Sequence, residues 1–358
     1  MDSLTQAVLG GSITGVALHR YIGRKSVLLG AALATLPDLD VFIRYADPIS
    51  SMTYHRGFTH SLFTLTAFAI VLTIIWRLFK PHSAYSTRRL FLALWLCLIT
   101  HPLLDAFTSF GTQLWWPTQA IPTSWSSIFI IDPIYTIPLC VGAFTALFCR
   151  PSPTTQKLLV WGLIISSAYL AWTVAAKYWA EHKAKQHPIL AKQRVIDTFS
   201  TPMPFNSLLW RVVVRTDQEQ DCEIIYSLLD KGPQEALCLP HQRHYALVAD
   251  QHELLQRLEW FTGGWLRYDP TDGVLVVTDL RMGVGPGNNS FRFAVAEQDA
   301  EDQWQNILPY RWPSTTDLRE LKHVMQRIYS STPPLPLETW AQRAKLATPP
   351  SNDAPADP

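Results

Sequence analysis

The sequence predicts an α-helical membrane domain of about six spans followed by a small, mainly antiparallel β (α+β) soluble domain. Three observations carry that reading. Apolar runs recur at about 4–19, 26–43, 61–79, 90–107, 128–149 and 158–176. Acidic groups are split unevenly: residues 1–176 hold eleven Lys/Arg and six Asp with no Glu, whereas 177–358 hold nineteen Lys/Arg and twenty-three Asp/Glu. Beyond residue 208, alternating and β-branched stretches are separated by turn signals. The predicted organisation is therefore a membrane-embedded region over 1–176, a soluble α+β module over 177–330 and a Pro-rich disordered tail over 331–358. Neither half is basic enough for nucleic acid, and no basic-aromatic or paired-cysteine pattern suggests it, so that class is set aside.

Most of the apolar runs approach the roughly 20 residues that a bilayer core requires. The first is short and is read as tilted or re-entrant, with Gly10, Gly11 and Gly15 suited to close helix packing. The chain start has neither a basic stretch nor a small-residue cleavage site, so the first span is expected to serve as its own insertion signal. Basic residues fall in alternate loops: Arg20, Arg24 and Lys25, then Arg77, Lys80, Arg88 and Arg89, then Arg150 and Lys157. The positive-inside rule puts those loops in the cytoplasm, and loops 44–60 and 108–127 with everything after 176 outside. In a bacterium that is the inner membrane with a periplasmic module. Trp115, Trp116 and Trp125, with Pro117 and Pro122, fit a headgroup belt, a role compatible with lipid binding.

The soluble half begins with a charged stretch from Lys177 to Arg194, read as a helix leaving the membrane. Strands are predicted at about 208–216, 222–229, 258–268, 273–280 and 290–296, and a helix over 317–330. Cys97, Cys140 and Cys149 lie in apolar runs and read as packing residues. Cys222 and Cys238 can pair if the module lies in an oxidising compartment. Asp279 and Arg281, two apart on a strand, read as an ion pair, and His241 and His244 as surface residues.

The chemistry is expected in the membrane half, where ionisable groups are costly. His55-Arg56-Gly57-Phe58-Thr59-His60-Ser61 places two imidazoles where an irregular segment enters an apolar helix, which Thr59 or Ser61 can cap. They converge only if Gly57 lets the backbone turn. In Leu36-Pro37-Asp38-Leu39-Asp40, alternation turns both carboxylates one way if the segment is extended. His101 and Asp105 are four apart and share a helical face. Asp132 precedes Pro133 at the start of the fifth run. The predicted threading brings Asp38, Asp40, His55, His60, His101, Asp105 and Asp132 to one membrane face, and Asp2 with them. His and Asp together form the ligand set of zinc, manganese or iron, in one or two ions. Buried polar pairing between helices is the structural alternative. His19 reads as an interfacial anchor, His82 as solvated and Asp47 as turn chemistry; Arg56 either holds an anion or pairs with an Asp.

These blocks, with Met1-Asp2-Ser3-Leu4-Thr5, resemble the YdjM-type family of bacterial inner-membrane, metal-dependent hydrolases over about residues 1–140. The resemblance implies a hydrolase with a distant likeness to zinc-dependent phospholipases C, and Asp38, Asp40, His55, His60, His101 and Asp105 as metal-site residues. Many members have a His near the N-terminus where this chain has Gln6. The expected function is attack of a metal-activated water on a phosphoester, in a small-molecule or lipid-linked substrate, at the outer membrane face. Asp40 or Asp105 would act as base, and Arg56 would hold an anionic group. A metal-ion transporter and a non-enzymatic scaffold are the rivals; a transporter calls for mid-bilayer ligands and internal repeats that the sequence lacks.

Overall fold

The computed structural model describes residues 1–231, 234–249, 253–314 and 318–346. Its contacts separate into two compact units, Met1–Tyr45 with Ser51–Ala175, and Ala46–Ser50 with the chain from Ala176 onward.

The helices of the first part are α1 (Ser3–Ile22), α2 (Lys25–Thr35), α3 (Pro48–Tyr54), α4 (Leu62–Phe79), α5 (Thr87–Ala106), α6 (Pro133–Phe148) and α7 (Pro153–Ala184), which carries the chain into the second unit. Asp2 starts α1 by accepting from the Thr5 amide at 3.0 Å. Gly23, with φ at 57°, ends it and lets the chain reverse into α2. The α1–α2 hairpin is packed backbone against backbone: a Cβ on Gly30 would lie 2.2 Å from the Gly10 carbonyl oxygen. One apolar core joins Leu104, Tyr135, Leu139 and Leu159, and another joins Leu18, Leu33, Leu90 and Leu94.

Only three of the described helices, α4, α5 and α7, are long and apolar enough to cross a membrane, against the six predicted. The difference has physical causes. Helix α1 has the length, but its buried face sets Thr5, Gln6, Ser12, Thr14 and His19 among its apolar residues. The run at 26–43 is interrupted, because α2 stops at Thr35 and Pro37–Phe42 form a 3-10 helix. Helix α6 starts at Pro133 and is 16 residues long. Helix α4 shows the clearest lipid-facing character: Ile70, Val71, Ile74 and Leu78 are all exposed.

The second unit contains two four-stranded antiparallel sheets, each in sequence order. The first is β1 (Val195–Pro202), β2 (Leu209–Thr216), β3 (Gln220–Ser227) and β4 (Ala236–Pro240). The second is β5 (Leu266–Thr271), β6 (Val274–Asp279), β7 (Arg292–Gln298) and β8 (Trp304–Arg311). Cys222 and Cys238 face each other across β3 and β4 and form a disulfide. Asp279 and Arg281 form the expected ion pair at 2.8 Å. The strand expected at 258–268 is mostly helix: α8 (Glu253–Thr262) buries Leu255, Leu258, Phe261 and Thr262, a 3–4 spacing, and β5 starts only after Gly263 and Gly264. Helix α9 (Leu318–Arg327) is tied to the β3–β4 connection by Arg327, which meets Asp230 at 2.7 Å and Glu235 at 2.7 Å. The expected disordered tail from Ser331 does not hold over 331–346. There α10 (Leu337–Arg343) buries Trp340 against Met203, Leu209 and Val324. Residues 347–358 lie outside the described residues.

His241 is buried, not a surface residue; its Nδ1 lies 2.7 Å from Asp221 Oδ2, while His244 is exposed as expected. Burial alone would raise the Asp221 carboxyl, but the His241 hydrogen bond and the Arg215 charge outweigh it and hold the group below its ordinary value of 3.8. A carboxyl depressed in the folded state adds stability above its unfolded pKa and loses it as pH falls through the folded one. Asp221→Asn should therefore lower stability at neutral pH and flatten its decline below pH 3.8, as read by urea unfolding across pH. Gly30→Ala should force the α1–α2 backbones apart and cost about 1–3 kcal/mol, seen as a lower melting temperature in detergent.

Candidate metal centre

The segment between α3 and α4 is shaped at Arg56, whose φ of 59° is left-handed. Gly57 follows at φ −87°, and a side chain there would place its Cβ 2.9 Å from the Tyr54 carbonyl oxygen. The turn thus belongs to Arg56, and the clearance to Gly57. Phe58–His60 form one 3-10 turn, and Ser61 caps α4 by accepting from the Thr64 amide. The loop 108–127 closes over this segment: the Leu62 amide donates to the Leu114 carbonyl at 3.0 Å and Ser61 Oγ to the Trp116 carbonyl at 2.7 Å.

Four of the expected residues converge. Asp38, His60, His101 and Asp105 each offer one ligand atom, all within 4.8 Å of one another. Asp38 Oδ1 lies 3.4 Å from His60 Nε2 and 3.4 Å from His101 Nε2. Asp105 Oδ2 lies 3.3 Å and 3.4 Å from the same two nitrogens, which are 3.1 Å apart. His60, His101 and Asp105 are fully buried, and Asp38 is 21% exposed.

The hydrogen bonds around the quartet fix which ring nitrogens carry protons. His101 Nδ1 lies 2.6 Å from the Ala34 carbonyl oxygen, which can only accept. Thr59 Oγ1 donates to Asp40 Oδ2 at 2.8 Å and so accepts from His60 Nδ1 at 2.9 Å. In neutral imidazoles both protons therefore sit on Nδ1, and both Nε2 lone pairs face inward. Asp105 Oδ2, also buried, accepts no hydrogen bond. With both imidazoles neutral, two carboxylate oxygens and two bare nitrogens face one another with no proton between them, an arrangement that burial makes costly. A cation at the centre removes the conflict. Around zinc at 2.0–2.1 Å, tetrahedral ligands are separated by about 1.6 times that distance, or about 3.3–3.4 Å. The residues fit such an ion in donor type, in the spacing of the imidazoles from each other and from both carboxylates, and in the protons the far-side bonds place on Nδ1.

The other expected site residues do not join the quartet. Asp38 and Asp40 diverge because their segment is a 3-10 helix and not an extended strand. Asp40 Oδ1 lies 2.7 Å from His55 Nδ1, and its Oδ2 accepts from the Arg56 amide at 3.0 Å as well as from Thr59. Asp40 thus orients three groups around the centre. His55, half-buried, keeps Nε2 without a hydrogen bond among the described residues, and its ring centroid lies 6.0 Å from that of His60. Asp132 accepts from the Ile134 and Tyr135 amides and from the Tyr169 hydroxyl at 2.8 Å; it caps α6. Asp2 caps α1. Arg56 is buried, with Nε 3.3 Å from Asp105 Oδ2 and its guanidinium over Phe110, which makes it a partner of Asp105.

Two contributors were not foreseen. Gln6 donates to Asp105 Oδ1 at 3.1 Å, beside the Met1 amino group, and to the His101 carbonyl at 3.2 Å. Thr59, seen in sequence as a helix cap, is the link between His60 and Asp40. The signal for Thr59 was its place between the two imidazoles.

Residues 1–180 match the family described as YdjM inner membrane protein. The uncharacterized protein YfhP of Bacillus subtilis (strain 168) is 27% identical over 225 residues, 60% of this chain and 65% of YfhP. The match therefore spans a little under two thirds of that relative's length. Inner membrane protein YbcI of Escherichia coli (strain K12) is 33% identical over 149 residues, 40% of this chain and 80% of YbcI. No solved structure matches. With half its length inside the family match, and all four converging residues within it, the chain belongs to the YdjM inner membrane protein family.

Proposed function

We propose that this chain is a multi-pass inner-membrane hydrolase in which Asp38, His60, His101 and Asp105 hold one divalent transition metal, zinc by preference. The observation that carries the reading is the set of 3.1–3.4 Å separations between donor atoms whose protons all point elsewhere. The reaction proposed is hydrolysis of a phosphoester, in a small-molecule or lipid-linked substrate. The quartet supports one ion where the sequence allowed two.

Such an ion supplies Lewis acidity toward water and a phosphoryl oxygen. The chain's own residues do the rest. Asp105 is neutralised by Arg56 beside Oδ2 and held at Oδ1 by Gln6, so it serves as a fixed ligand and not as a base. Asp40, saturated by three donors, holds the His55 ring with Nδ1 protonated and Nε2 open. His55 Nε2 is therefore the proton acceptor proposed here, a role the sequence had given to Asp40 or Asp105. Asp38, the most exposed of the four, marks the side from which substrate reaches the centre.

An outward-facing centre is supported by the alternation of basic loops, and an oxidising compartment for the soluble unit by the Cys222–Cys238 disulfide. The ligands follow α2, precede α4 and end α5, so they sit at helix ends; this favours an enzyme over a transporter with mid-helix ligands.

The test is metal analysis of detergent-purified protein together with turnover on a panel of phosphomonoesters and phospholipid headgroups. Wild type should carry about one transition metal per chain, and His60→Ala and His101→Ala should lose it with their activity. His55→Gln should keep the metal and lose turnover by about 10²–10⁴-fold. Full turnover in a metal-free His60→Ala protein would overturn the proposal.

A further inference from the structure

A cavity of about 1080 Å³ lies in the helical unit between the C-terminal end of α1 and the N-terminal ends of α5 and α7. It is far from the metal centre. Arg20 is fourteen residues along α1 from Gln6, and Arg89 twelve residues along α5 from His101, or about 18–21 Å at the helical rise. Its volume is at the upper end for ligand pockets. The cavity has two chemical zones. Val16, Leu92, Leu96 and Leu163 form an apolar wall, and Arg20, Arg88 and Arg89 stand in the same lining with Ser86, Ser152 and Gln156.

The arginines are uncompensated. Arg20 and Arg89 both turn their guanidinium groups to the Tyr21 hydroxyl, Arg89 at 2.5 Å, and both lie over the Tyr21 ring. None of the three forms an ion pair among the described residues. The six acidic groups before residue 177 are engaged elsewhere: Asp38, Asp40 and Asp105 around the metal centre, Asp2 and Asp132 as helix caps, and Asp47 on the Ser50 amide. Arg88 and Arg89 also occupy the first turn of α5, where the helix dipole disfavours cations, and neither α5 nor α7 has an acidic residue in its first turn. Three positive charges, two of them at a disfavoured helix end, border an apolar slot on a helix bundle of the inner membrane.

The geometry points to a binding site for an anionic phospholipid, with its phosphate at Arg20, Arg88 and Arg89 and an acyl chain along Val16, Leu92, Leu96 and Leu163. Basic pockets between membrane helices bind anionic headgroups through the same combination of charge and apolar wall. The site is separate from the proposed hydrolytic centre and does not depend on it.

The test is native mass spectrometry of the full chain in detergent, titrated with phosphatidylglycerol and with phosphatidylcholine of the same acyl length. Phosphatidylglycerol should bind at least about tenfold more tightly. Arg20→Gln, Arg88→Gln and Arg89→Gln combined should abolish that preference. Arg24→Gln, Lys25→Gln and Arg150→Gln combined remove as much charge from outside the lining and should leave it intact. Leu96→Trp, which fills the slot and keeps every charge, should weaken phosphatidylglycerol binding. Equal binding of the two lipids by wild type, or equal loss in both triple variants, would overturn the inference. So would displacement of the lipid by inorganic phosphate at the same concentration, which would mark a site for a free anion.

Discussion

Two buried imidazole nitrogens, 3.1 Å apart and both turned inward by bonds on the far sides of their rings, face two carboxylate oxygens. Four electron pairs pointed at one small volume repel one another, and burial removes the water that would screen them. A positive charge at the centre, a metal ion or a proton, relieves that repulsion. Several elements of the helical unit position the four groups. The Ala34 carbonyl at the end of α2 sets the His101 tautomer, and the glycine contact between α1 and α2 sets where that carbonyl lies.

The surrounding polar groups divide the labour in a consistent way. Gln6 holds Asp105 at Oδ1, and Arg56 lies 3.3 Å from Oδ2, the oxygen that faces the two imidazoles. Asp40 gathers His55, the Arg56 amide and Thr59, and through Thr59 reaches His60. One carboxylate thereby orients His55 and His60 together, so the positions of the two imidazoles are coupled. The basic cavity at the other end of α1 and α5 shows the opposite imbalance, cations without anions.

The sequence made the site legible wherever spacing alone decides direction. His101 and Asp105 share a face because they are four apart on a helix, and threading brought Asp38 and His60 to them. It misled where a local backbone choice decides. Asp38 and Asp40 face together in a strand but part in a 3-10 turn, and nothing in Leu36-Pro37-Asp38-Leu39-Asp40 announces which one forms. Asp132 looked like a ligand because an ionisable group in an apolar run is costly, yet two amides and the Tyr169 hydroxyl meet that cost. Carbonyl and hydroxyl partners such as Ala34 and Thr59 leave no compositional trace. In the soluble unit, Trp260-Phe261-Thr262 has strand composition, but the burial of Leu255, Leu258 and Phe261 follows a helical period. Six apolar runs were visible; one of them breaks at Pro37, and another buries Thr5, Gln6, Ser12 and Thr14 among its apolar residues.

X-ray absorption spectroscopy at the metal edge of the purified chain reads the Asp38, His60, His101 and Asp105 centre itself. A first shell of four or five nitrogen and oxygen neighbours at about 2.0–2.1 Å is expected, with the outer-shell scattering of two imidazoles, which falls away in His101→Ala. An all-oxygen shell without imidazole scattering, or the same spectrum from wild type and His101→Ala, would contradict it.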